Sequence, residues 1–64
     1  MKNFIEVLYE GQPMLINVRC ISVVKAKGDK TLIRTLEQVD NQPKVYTVNE
    51  SYPEIRRLIE DALR

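Results

Sequence analysis

The 64 residues include no histidine and one cysteine, Cys20. The usual general base near neutral pH and the commonest metal ligand are therefore missing. The nucleophile candidates that remain are Cys20, Ser22, Ser51, the threonines and three tyrosines. None has a base at a recognisable spacing. Cys20 lies in an apolar run, where cysteine is far more often a small buried hydrophobe than a nucleophile. Ser51 opens S-Y-P-E, which a helix cap explains better. Glu6, Glu10, Glu37 and Asp40 could pair only through the fold, because nothing in their spacing joins them. No carboxylate cluster has metal-ligand spacing. The two glycines sit apart, so no phosphate-cradling loop exists. A chain of this size also has little room for an enclosed pocket. We expect a protein that is not an enzyme and that needs no cofactor or metal.

The charges carry a second hint. Ten basic and nine acidic residues give a net charge of +1, which exerts no general pull toward nucleic acid or anionic lipid. Locally, "KAKGDK" places Lys25, Lys27 and Lys30 around a turn, with Arg34 close behind. Lysines commonly occupy solvated hairpin tips and protect sheet edges. The alternative is a phosphate-contacting patch. The one phenylalanine and three tyrosines do not interleave with these cations as in a single-strand binder.

Sixty-four residues make one small domain. Such a chain buries only about 60% of its unfolded surface and gains from a disulfide, a metal or a partner subunit. One cysteine allows no internal disulfide and suits a reducing compartment. "MKNFIEVLYE" lacks the pattern of a signal peptide. The densest apolar run, "MLINVRCISVVKAK" (14–27), is interrupted by Arg19 and Lys25 and is shorter than the roughly 20 apolar residues of a membrane span. A cytoplasmic protein without a membrane contact is expected, with self-association as the natural route to extra stability.

The elements follow from periodicity. "FIEVLYE" alternates: Ile5, Val7 and Tyr9 share one face, and Phe4, Glu6 and Leu8 share the other. Gly11 and Pro13 mark a turn, after which "MLINV" returns as a strand. Phe4 and Leu8 are apolar on a face that should be polar, which hints at a subunit contact. Read as one strand, Met14–Lys27 would run about 45 Å, too long for this chain. A break at Asn17–Cys20 is predicted, where Asn17 starts a helical turn that puts Val18 and Ile21 on one side. "KGDK" is a hairpin turn in which Gly28 and Asp29 supply unusual backbone angles. "TLIRTLEQ" and "VYTVN" are strands, and residues 37–44 connect them with Asp40–Asn41 as the tip.

The period then changes. Ile55, Leu58, Ile59, Ala62 and Leu63 form one helical stripe. Ser51 and Glu54 match a capping box, and Pro53 suits the first turn. Arg56–Glu60, Arg57–Asp61 and Glu60–Arg64 are spaced for ion pairs. The predicted fold class is α+β: an antiparallel sheet of four or five short strands, with one C-terminal helix over about residues 52–63 packed on it.

The pattern "FIEVLYEGQPMLINVRCISVVKA…TLIRTL…VYTVNESYPEIRRLI" resembles the small FlbD/SwrD-type proteins of bacteria over nearly the whole chain. The shared features are Ile16–Asn17, the spaced Ile21 and Val24, and V-x-E-S at Val48, Glu50 and Ser51. The resemblance implies a short turn after Ile-Asn and a link to flagellar function, with no catalytic residues. Val18 stands where the family has proline, and the 37–44 connection is longer than the family's tight turn. The same outline is similar to the first half of LytTR-type DNA-binding domains, whose missing second half carries much of the DNA contact. Two functional expectations result. The first is a non-catalytic interaction module that binds itself or another protein through Phe4, Leu8 and a strand edge. The second is a nucleic-acid-binding regulator using Lys25, Lys27, Lys30 and Arg34.

Overall fold

The computed structural model describes residues 3–64. Strands β1 (Phe4–Tyr9) and β2 (Gln12–Asn17) precede a 3₁₀ turn (Val18–Cys20). Strands β3 (Ile21–Lys27), β4 (Lys30–Val39) and β5 (Gln42–Val48) follow, and helix α1 (Tyr52–Ala62) ends the series. The sheet order is β2-β1-β5-β4-β3, with every neighbouring pair antiparallel. This is the α+β architecture expected, at the upper strand count.

The break in the long apolar run falls at Asn17–Cys20. The Asn17 Oδ1 accepts the Arg19 N–H at 3.0 Å and so starts the turn. The Val18 N–H donates to the Asn3 carbonyl at 2.8 Å, tying the turn to the start of β1. A register shift between Ile21 and Val23 then adds one residue to β3. That bulge lets Ile21 and Val24, three apart, both pack against the core. Val18 packs there too, whereas Ala26, two residues beyond Val24, is exposed.

The order of strands dictates the shape. The two outer strands, β2 and β3, are consecutive in sequence. Laid flat, five strands would separate the outer two by about 19 Å. The four steps from Asn17 to Ile21 reach at most about 14 Å. The sheet must therefore curl. Met14, Ile16 and Asn17 of β2 accordingly line the same small cleft as Thr35 and Tyr46. Helix α1 lies across the concave side and touches β1, β3 and β4.

Ile5, Val7, Ile16, Ile33, Val48, Ile55 and Ala62 are the buried apolar residues. Two threonines join them because each hydroxyl finds a main-chain acceptor. Thr31 Oγ1 donates to the Glu50 carbonyl at 2.7 Å, and Thr35 Oγ1 to the Lys44 carbonyl at 3.3 Å. Leu58 and Ile59 are partly buried, whereas Leu63 lies just past the helix and is exposed.

All three hairpins turn in two residues. Glu10–Gly11 and Asp40–Asn41 have positive φ at both positions (51° and 78°; 53° and 64°), the pattern of a type I′ turn. Gly28 has φ 63° and supplies the unusual angle alone, without the contribution expected from Asp29. Pro13 is not a turn residue. It lies in β2, an outer strand, where no neighbour asks for its missing N–H. Residues 37–44 are mostly strand, so the hairpin is longer and its turn tight. The excess length sits in β4, where the register slips between Arg34 and Gln38.

The capping box is not formed. Ser51 is the N-cap, with extended backbone, but its side chain makes no capping bond. Glu54 instead pairs with Arg57, one turn on. Arg56–Glu60 and Arg57–Asp61 pair as expected, at 3.5 Å and 3.6 Å. Arg64 reaches Asp61 at 4.0 Å, in place of the pair expected with Glu60.

Candidate interaction surface

The inner side chains of each strand fill the core, so the alternate side chains face out. On β1 these are Phe4, Glu6 and Leu8; on β2, Pro13, Leu15 and Asn17. The register sets Phe4 opposite Asn17, Glu6 opposite Leu15 and Leu8 opposite Pro13. Leu15 thus sits diagonally between Phe4 and Leu8, within side-chain reach of both. Phe4, Leu8 and Leu15 are 37%, 41% and 49% exposed. The two residues expected from sequence therefore belong to a patch that also includes Leu15. Alternation places Leu15 outward, but only the register makes it their neighbour.

A second outward face spans β3, β4 and β5. The register aligns Val23, Arg34 and Val45 in one row and Lys25, Leu32 and Thr47 in the next. Lys27 lies opposite Lys30 at the end of the hairpin. All four cations singled out in the sequence therefore share one face of the sheet. They do not form a purely basic patch, because Val23 and Val45 flank Arg34 and are each 43% exposed. Val23, Lys25, Leu32, Arg34, Pro43 and Val45 line a common open groove of about 490 Å³.

The two faces differ in charge. Strands β1 and β2 contain no Lys or Arg, and Glu6 stands within their apolar patch. Glu10 lies in the adjoining turn. The Glu50 carboxylate sits at the boundary with β5, where both oxygens accept the Leu8 N–H at 3.1 Å. Strands β3 and β5 contain no Asp or Glu, and β4 has none before Glu37. Among the described residues the ion pairs all lie along α1, so none engages Lys25, Lys27, Lys30 or Arg34.

The inner side has a different character. Tyr9 and Tyr46 meet edge to face, with ring centroids 5.0 Å apart. The Lys44 ammonium lies 5.5 Å from the Tyr46 ring, which draws this cation to the inner row of β5. Cys20 is half-buried in the 3₁₀ turn. Among the described residues, no buried side-chain nitrogen or oxygen lacks a partner, and no three acidic, Cys or His side chains gather as a metal site would need. Among them, too, no helix is long and apolar enough to cross a membrane. Comparison with protein-family models, curated proteins and solved structures returns no match.

Proposed function

We propose that this chain is a non-catalytic protein-interaction module that associates with itself through the outer surface of its sheet. The observation that carries this reading is the alignment of exposed apolar side chains across strands: Phe4, Leu8 and Leu15 on one face, and Val23 and Val45 beside the half-buried Leu32 on the other. Isolated exposed apolar residues are normal, but contiguous patches rimmed by polar groups mark contact sites. The resemblance to FlbD/SwrD-type proteins fits a role without catalytic residues. A reducing compartment, the cytoplasm, suits the single free thiol.

The clustering of Lys25, Lys27, Lys30 and Arg34 on one face favours a second reading, nucleic-acid binding. Two features weigh against it. No aromatic side chain stands among those cations to stack on a base. The net charge of +1 also gives little long-range attraction.

Two measurements separate the readings. Sedimentation velocity over a concentration series is expected to show a rising weight-average sedimentation coefficient, while titration with single-stranded and duplex DNA at low salt shows no binding. A strict monomer at millimolar concentration would remove the self-association reading. DNA binding that weakens steeply with salt would replace it with the regulator reading.

A further inference from the structure

Resting on the self-association reading, we propose that the contact is head-to-tail: the β1–β2 outer face of one copy seats on the β3–β4–β5 outer face of the next. The first face is an apolar frame around a carboxylate, the second an apolar frame around Arg34 with Lys25 in the next row, and the charges of the two faces are opposite. Glu6 is surrounded by Phe4, Leu8 and Leu15. Arg34 lies in register between Val23 and Val45, with Leu32 two residues away on the same strand face. Docked together, the frames cover one another, and the guanidinium meets the carboxylate in the fork geometry that makes this pair strong.

The symmetric alternatives lack this match. Two β1–β2 faces pressed together would bury Glu6 against Glu6 inside an apolar ring, with no cation on either strand to compensate. Two β3–β4–β5 faces would oppose Arg34, Lys25, Lys27 and Lys30 with their own copies. Like charges across an interface oppose association, and complementary ones fix the partner and the register.

Geometry permits both faces to work at once. They lie on opposite flanks of a curled sheet and meet at the β1–β5 seam, so their outward directions diverge. A standard contact covers about 800 Å² per partner, roughly a sixth of the 4656 Å² surface of this chain. Two such faces take about a third and leave the helix free. A contact between different faces does not close on itself at two copies; it builds a ring or an open chain.

The test uses two charge reversals and their mixture. Glu6 and Arg34 are both exposed, so E6R and R34E are expected to fold as wild type, which circular dichroism and thermal unfolding check. Each single variant should lose self-association by about tenfold or more. An equimolar mixture should recover assembly with the two variants alternating, because one contact restores the wild-type pair of Glu6 and Arg34 and the next joins the two reversed charges, as in the double variant. The double variant E6R/R34E should recover assembly. Self-association of R34E at wild-type strength overturns the head-to-tail contact and leaves self-association standing. Failure of the mixture to pair, when both singles are monomers, overturns it likewise. A wild-type protein that stays monomeric at millimolar concentration removes both.

Discussion

Replacing Glu50 by alanine tests how the two parts of the sheet are joined. The β1–β2 hairpin pairs internally at six positions, as do β3 with β4 and β4 with β5. The seam between β1 and β5 has one register pair, Tyr9 with Val48. Beyond that pair, the chain relies on the Asn49 N–H donating to the Leu8 carbonyl at 3.0 Å and the Leu8 N–H donating to the Glu50 carboxylate. The side chain of Glu50 therefore continues a ladder that its backbone has left. A hydrogen bond to a charged acceptor contributes about 1.5–3 kcal/mol net. Water can reach this amide, so the lower end applies, about 1.5 kcal/mol. For a chain of this size that corresponds to a fall in Tm of about 6–12 °C. Glu50→Gln keeps one acceptor oxygen and should lose about half as much. Hydrogen exchange localises the effect: the Leu8 and Asn49 amides should lose protection before those of β3 and β4. A Tm for Glu50→Ala within about 2 °C of wild type would refute the reasoning, since it would leave under 0.5 kcal/mol for the bond.

Two further outcomes follow from the same structure. Glu10 occupies φ 51° in a type I′ turn, where asparagine is far better tolerated; Glu10→Asn should raise stability by about 0.5–1 kcal/mol in urea unfolding. Ile55→Ala removes the fully buried anchor of the helix and should destabilise by about 2–5 kcal/mol. That is comparable with the roughly 3–10 kcal/mol total expected for 64 residues, so the variant should be largely unfolded by circular dichroism at 37 °C.

The helix was legible because Ile55, Leu58, Ile59 and Ala62 repeat with its period and because Pro53 fits only its first turn. The break at Asn17 was legible for a different reason: an uninterrupted strand would have been too long. Period-2 alternation separated the two faces of β1, whereas the bulge in β3 breaks it and brings Ile21 and Val24 to the core three residues apart. What alternation cannot carry is which strands become neighbours. The curl of the sheet follows from β2 and β3 being its two edges, a property of pairing and not of any local stretch. The role of Glu50 at Leu8 joins residues 42 apart, and no local pattern announces it. The capping box failed because Glu54 had a nearer partner in Arg57. The candidate surface was half legible: Phe4 and Leu8 stood out as apolar residues on an outer face, and the four cations as a cluster. The register was needed to add Leu15 and to set Val23 and Val45 on either side of Arg34.

The most direct test of self-association through the sheet is dilution of isotope-labelled protein followed by amide chemical shifts. Concentration-dependent shifts are expected on both faces, at Phe4, Glu6, Leu8 and Leu15 and at Val23, Leu32, Arg34 and Val45, with the exposed side of α1 unchanged. Shifts confined to α1, or none between micromolar and millimolar concentration, would contradict it.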